Sequence, residues 1–348
     1  MNPKKRAVAV AVAGTAIGAA GLAVLAVPAG AGEAPQLPPV SAEALVKSVL
    51  EADVPALSGD VAIDNSLGLP SVPGMPVLGS ESARVYYDGN NASRFAVQES
   101  NSELTVVHNG TTVWTYNSTD NSATKMTLPA AERHQLPENG QLADPASAAT
   151  QLLDYIQQSS TVTVDGTARV ADRPAYELVL TPKPTERTLL REVRIAVDSE
   201  TRVPLRMSVH TNGTTEPALQ IGFTRIDFAA QPADLFQFTP PQGARVTENQ
   251  TKPGTHEQPP TDAESSIVGD GWDTVFVGRM PAGAPSGGEG DNVNVEALLQ
   301  QMGRPVSGAF GSGYVIDTKV GTALVTSDGR VAFGAVPEQV LTQALEGK

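Results

Sequence analysis

The sequence predicts an α+β protein: an antiparallel sheet with one apolar face, helices to cover that face, and a small C-terminal α+β module. Three observations predict it. Between Pro174 and Phe228 four segments alternate. Tyr176, Leu178 and Leu180 alternate with Glu177 and Thr181, and Val193, Ile195 and Val197 with Glu192, Arg194 and Asp198. Val203, Leu205, Met207 and Val209 alternate with Arg206, Ser208 and His210, and Leu219, Ile221 and Phe223 with Gln220 and Thr224. Strand side chains point to opposite faces in turn, so each segment has one apolar and one wet face. A parallel sheet, covered on both sides, would not read this way. The second observation is a hairpin signal at Asn109-Gly110, and the third is a set of helical stripes that can cover a sheet.

In chain order, Met1–Arg6 is basic, Ala7–Val27 is apolar or weakly polar, and Ala29-Gly30-Ala31 matches a small-residue cleavage site. Residues 1–31 read as an export signal. An uncleaved anchor is the alternative, since 21 residues can just span a bilayer. Either way the body lies outside the cytoplasm, secreted or associated with the cell envelope. After a Pro-rich spacer over 32–40, Ser41 can cap a helix striped by Leu45, Val46, Val49 and Leu50.

A first strand spans Ala56–Asn65, and an apolar, proline-studded loop runs from Gly68 to Gly79. It covers either a hydrophobic opening or nothing more than a connection. Strands follow at Ala83–Tyr87 and Ser93–Gln98, then Leu104–His108 and Thr111–Tyr116 around Asn109-Gly110. That dipeptide favours a two-residue type I′ turn, which would pair His108 with Thr111, Val106 with Val113 and Thr105 with Trp114. With a strand at Ala123–Leu128 the order is a meander. Asp144-Pro145 opens a helix whose Leu152, Leu153 and Ile156 face one way. A further strand spans Thr161–Val170, with a tight turn at Ala171–Arg173. Between Phe223 and Phe228 the alternation slips phase, which calls for a bulge and a bend.

Val246–Glu264 is polar and reads as a linker, with boundaries at 248–268. Beyond it come a strand over Gly271–Gly278, a short helix over Val295–Met302, and strands at Tyr314–Thr318, Gly321–Thr326 and Arg330–Phe333. A last helix from Pro337 is striped by Val340, Leu341, Ala344 and Leu345.

Composition narrows the function. The chain has no cysteine, so disulfides, thiolate chemistry and a lipid-anchor cysteine are excluded. Its net charge of −14 falls to near −17 once Lys4, Lys5 and Arg6 are removed, 21 basic against 38 acidic residues. Such a charge repels nucleic acid. The four histidines His108, His134, His210 and His256 are scattered, without metal-ligand spacing, and neither a nucleophile elbow nor a phosphate loop is present. The sequence therefore points to no enzyme, no metal and no cofactor.

Val107–Tyr116, Tyr176–Lys183, Val203-Pro204-Leu205 and Phe236–Gly243 occur in an order that resembles the LolA-like superfamily: the lipoprotein carrier LolA, the receptor LolB and the sigma-factor regulator RseB. The resemblance covers residues 41–247, with Asn109 where the family's hairpin has Asp, and leaves out the module at 269–348. An Ala-, Gly- and Val-rich composition suits an actinobacterial member. The resemblance implies a strongly curved sheet, an open half-barrel lidded by helices. Its implied ligand is a lipid or lipoprotein acyl chain held between sheet and lid. The implied alternative is an RseB-like regulator, whose C-terminal module contacts an envelope membrane protein such as an anti-sigma factor. A non-enzymatic structural or interaction protein is a third possibility. The candidate pocket lining is Trp114, Tyr176, Leu178, Leu180, Val193, Ile195, Leu205, Met207, Ile221 and Phe223 from the sheet, with Leu152, Leu153 and Ile156 from the lid. Plain core packing is the alternative for each.

Overall fold

Apolar–polar alternation in segment after segment builds one 12-stranded sheet, and a second sheet of six strands follows it. The computed structural model describes residues 35–68, 81–98, 102–110, 112–127, 155–250, 266–279 and 295–347. Helix α1 (Ala42–Leu50) leads into β1 (Leu57–Asn65), β2 (Glu81–Tyr87), β3 (Ala92–Gln98), β4 (Glu103–Asn109), β5 (Thr112–Asn117) and β6 (Ser122–Thr127). A helical turn over 155–159 precedes β7 (Ser160–Val170). Then come β8 (Arg173–Pro182), β9 (Leu190–Asp198), β10 (Pro204–Thr211), β11 (Leu219–Asp227) and β12 (Arg245–Gln250).

The spatial order is β12-β6-β5-β4-β3-β2-β1-β11-β10-β9-β8-β7. Two antiparallel meanders are thus joined through the β1–β11 pair, and β12 adds in parallel to β6. A single meander does not describe this, because β1 must accept a partner from far along the chain. The 4–5 hairpin also differs from expectation. Asn109 pairs with Thr112 and Val107 with Trp114, so the register is shifted by one residue and the loop begins after Asn109. Asn109 is held in the strand because its side-chain amide donates to the Phe236 carbonyl at 3.1 Å. Gly110, with φ of 63°, then takes the first loop position, where the primed hairpin turns call for a positive φ.

Bulges roll the sheet. Val61 pairs with Phe223 and Asp60 with Arg225, leaving Thr224 unpaired in β11, at the phase slip read from the sequence. Further register shifts fall at Val164/Thr167 in β7 and Pro204/Arg206 in β10. A Cβ on Gly59 would stand 2.5 Å from Phe223 Cδ1, so glycine there admits the ring across the strand. The roll is strong enough that Val85 and Val97 from β2 and β3 share one core with Val170 and Ala175 from β7 and β8. Yet the sheet stays open, with β12 and β7 as its edges. This is the α+β, open half-barrel architecture.

The tight turn at 171–173 is real, with Ala171 and Asp172 at φ of 48° and 62°. At the next turn Asp198 is fully buried. It takes two hydrogen bonds from Arg173, others from the Glu200 and Thr201 backbone N–H groups, and one from the Thr201 hydroxyl.

The second sheet has the order β13-β14-β18-β17-β16-β15. Its strands are β13 (Ser266–Val268), β14 (Val275–Arg279), β15 (Arg304–Gly308), β16 (Gly311–Asp317), β17 (Thr322–Thr326) and β18 (Arg330–Gly334). Helix α2 (Val295–Met302) precedes β15, and α3 (Glu338–Leu345) packs Val340, Leu341, Ala344 and Leu345 onto Val275, Val315, Leu324 and Ala332. The expected linker is shorter than 248–268, because β12 continues to Gln250 and β13 starts at Ser266. Residues 271–274 form a turn rather than strand, closed by the Thr274 hydroxyl on the Gly271 carbonyl at 2.7 Å. Most of the Gly68–Gly79 loop and of the helix opening at Asp144 lies outside the described residues, as do residues 1–34.

Candidate functional site

The alternation in β8 to β11 places side chains in rows across the sheet. Leu178 pairs with Ile195, Ile195 with Met207, Met207 with Ile221, and Ile221 with Ile63 of β1. The next row runs Val162, Leu180, Val193, Val209 and Leu219. Cross-strand partners share a face, so these residues form one continuous apolar surface over as many as five strands. It brings together six of the predicted residues, Leu178, Leu180, Val193, Ile195, Met207 and Ile221, with Tyr176 beside them.

The surface is covered unevenly. Leu45 of α1, with Leu37, Val40 and Val46, packs on Tyr176, Leu178 and Val197. The residues before α1 are pinned there as well. Tyr176 Oη donates to the Pro38 carbonyl at 3.0 Å, and Thr167 Oγ1 to the Pro35 carbonyl at 2.7 Å. The spacer is therefore docked on the sheet from residue 35. Toward β10 and β11 the cover thins, and Val193, Met207, Val209, Leu219 and Ile221 are only half-buried.

The other predicted residues are not part of this half-buried surface, although Phe223 shares the face of Ile221 two residues along β11. Leu205 and Phe223 are fully buried in the core of the roll. Trp114 is placed apart. It pairs with Val107, on the side of the sheet opposite Val61, Ala83 and Val97, and packs on Phe238 with ring centroids 5.4 Å apart. The hairpin motif and the closing Phe-x-Phe motif thus meet each other rather than the apolar rows. Ile156 is half-buried in the helical turn before β7, and Leu152 and Leu153 lie outside the described residues. Two clefts, of about 410 Å³ beside Glu51, Glu200 and Arg202 and about 500 Å³ beside Ser66, Thr214 and Lys319, are lined by none of the thirteen predicted residues.

The opposite face of β8–β10 carries a polar lattice that scattered histidine spacing did not reveal. Glu177 is nearly buried, 2.6 Å from Arg206 and 3.7 Å from Arg194, and Arg194 reaches Glu192 at 2.9 Å. Arg194's hydrogen bond holds the Glu192 carboxyl below its usual range, against the opposing effect of burial. Period-two spacing of Ser208 and His210 puts both on this face, 3.0 Å apart, a contact that resembles a nucleophile and its base. However, Arg191 Nη2 lies 3.2 Å from His210 Nδ1. A guanidinium only donates, so Nδ1 is the acceptor and Nε2–H donates to Ser208. A general base for serine needs the reverse tautomer. Among the described residues no group of three or more His, Asp or Glu could hold a metal ion, and no helix is long and apolar enough to cross a membrane.

No family model matches the chain, and no curated protein matches it. Solved structures do. A chain of the MucA/MucB complex of Pseudomonas aeruginosa matches at 17% identity and a TM-score of 0.45, over 87% of this chain and 96% of that one. A LolA superfamily protein from Nitrosomonas europaea matches at 14% and 0.25, over 57% and 99%. A putative outer membrane lipoprotein-sorting protein domain from Vibrio parahaemolyticus matches at 6% and 0.20, over 86% and 95%. The chain is similar to LolA-like structures. Likenesses this distant carry nothing about function, so the functional reading rests on the chain's own rows and contacts.

Proposed function

We propose that the chain is an exported carrier of a hydrophobic ligand, a lipid or a lipoprotein acyl chain lying along the apolar rows of β8–β11. The observation that supports this is the half-buried surface around Met207 and Ile221, continuous with the part that α1 covers. Burying an acyl chain is worth roughly 0.8 kcal/mol per CH2, on the order of 10 kcal/mol for a long tail before ordering costs. That suffices without a specific polar contact. Leu152, Leu153 and Ile156 would close over the guest, and Trp114 has no part in it.

Native mass spectrometry after expression with the chain's own N-terminus in a bacterial host tests this. Co-purified lipid, displaced by a fluorescent acyl probe, is the expected result. A protein that arrives empty and leaves the probe unbound sinks the proposal.

A second reading has one observation in its favour. Ile267, Phe276 and Phe333 are cross-strand neighbours on the outer face of the second sheet, and all three are exposed. The two rings stack with centroids 5.1 Å apart. Such a row suits a module that contacts an envelope membrane protein, as a regulator would. Phe276→Ser with Phe333→Ser would leave lipid binding intact if the module serves a partner alone.

A further inference from the structure

We infer that the junction of the two sheets is a proton-sensitive clip, in which neutral His210 lets Arg191 hold the turn that supports the C-terminal module. The module docks mainly on the connection between β8 and β9, with a further contact where Lys319 N–H donates to the Leu67 carbonyl at 2.9 Å. Leu189 N–H and Thr188 Oγ1 donate to the Ala335 carbonyl at 2.9 and 2.6 Å, and Arg187 reaches Gln343 at 2.6 Å and Asp273 at 3.8 Å. The Glu186 carboxylate accepts the Trp272 backbone N–H at 2.8 Å, and the Trp272 indole donates to Ser160 at 2.7 Å. This connection is held from behind by the β10–β11 turn. Asn212 N–H donates to the Leu189 carbonyl at 3.0 Å, and its side-chain amide to that of Thr188 at 3.4 Å. The turn is held in its own right by Arg191, whose Nη1 donates to the Thr214 carbonyl at 2.6 Å.

Arg191 spends its other nitrogen on His210 Nδ1, which works only while that nitrogen is unprotonated. A proton there would set two cations 3.2 Å apart, and the long Arg191 side chain is the one able to move. The groups facing His210 divide. On β9, Glu192 attracts the proton while Arg191 and Arg194 repel it. On β10 Ser208 accepts from Nε2–H, and in the turn the Thr215 carbonyl favours the charged ring. Glu192 is already engaged by Arg194 at 2.9 Å and Arg191 at 3.5 Å. Burial is the largest influence and holds His210 below the ordinary 6.5. A depressed value means the neutral ring belongs to the folded arrangement. The hold is complete above about pH 6.5 and lost as the pH falls through the folded value.

Trp272 sits in the docked junction, and Trp114 is the chain's other tryptophan, so Trp114→Phe leaves a single reporter. Its fluorescence is followed from about pH 8 to about pH 5, with far-UV circular dichroism alongside. The expected result is a red shift of Trp272 emission and easier quenching by acrylamide below pH 6.5, with the circular dichroism unchanged. His210→Gln should not titrate. If that variant does not fold, Arg191→Gln decides, since removing the neighbouring cation should also flatten the pH response. A wild-type signal that stays constant to pH 5, or a transition that persists in either variant, overturns the inference. So does loss of secondary structure over the same range, which would be unfolding of the whole chain.

Discussion

The two ends of the apolar face carry the same alternation and are used differently. At the β7–β9 end, Tyr176 and Leu178 are each 7% exposed and Val197 1%, sealed by Leu45 of α1 and by Leu37 and Val40 before it, with Leu180 and Ile195 half-buried at the margin of that cover. At the β10–β11 end, Met207, Val209, Leu219 and Ile221 remain half-buried. Residue type does little to separate the two: apart from Tyr176 and Met207, both are Leu, Ile and Val at period two. The difference is set by where α1 ends, since nine residues of helix cover about 14 Å of a wide sheet. An apolar row under a helix is core. The same row beyond the helix is left half-buried, and it is there that the proposed guest would lie.

Substitution at the sealed end should give the largest effect. Leu178→Ala removes a buried side chain that α1, β7 and β9 surround, and should cost about 3 kcal/mol in urea unfolding. A cost below about 1 kcal/mol would mean that α1 is not a permanent cover and that the whole face is open.

A smaller effect, with a distinct pH signature, belongs to Asp198 at the rim of that end. Burial pushes its carboxyl up, but the hydrogen bonds from Arg173, Thr201 and Glu200 outweigh it and hold the pKa below the usual 3.8. A depressed carboxyl contributes stability that is present above its unfolded pKa and lost as the pH falls through the folded value. Asp198→Asn should therefore cost about 2 kcal/mol at neutral pH, and the gap to wild type should narrow as the pH falls below 3.8 and through the folded value. Equal losses at all pH values would assign the effect to the turn's geometry alone.

How much of this was legible follows the range of the interactions. The stripe of α3, the bounds of α2, the turn at 171–173 and the bulge after Phe223 are local, and each is read from a few neighbouring residues. Leu178, Leu180, Val193, Ile195, Met207 and Ile221 meet because alternation fixes their face and short turns fix their neighbours. Trp114 failed to join them for a long-range reason. Its face depends on five strand pairings and on Phe238, more than a hundred residues away. The Asn109-Gly110 loop slipped by one residue for the same kind of reason, since the Phe236 carbonyl captures Asn109. The parallel β12 was invisible because polar edge strands and linkers have the same composition. His210 and Arg191 meet across the β9–β10 pair at a register shift, which spacing in the sequence does not encode.

The open end should give the smallest effect on stability and the clearest one on binding. Met207 lies between Ile195 and Ile221 in the row and is only half-buried, so Met207→Ser leaves little cavity behind. Its cost in urea unfolding should stay below about 1 kcal/mol, several times less than that of Leu178→Ala, although both sit in one row. Affinity for an acyl probe should nevertheless fall about tenfold, since losing the contact of two or so methylenes with the chain is worth roughly 1.5 kcal/mol. The comparison then takes a two-by-two form, with stability lost at one end and binding at the other. If Met207→Ser destabilises as much as Leu178→Ala and leaves the probe bound, both ends are core and the face holds no guest. If it weakens the probe at little cost in stability, the boundary between core and site lies within the row, beyond Leu178 and Ile195, where the cover of α1 runs out.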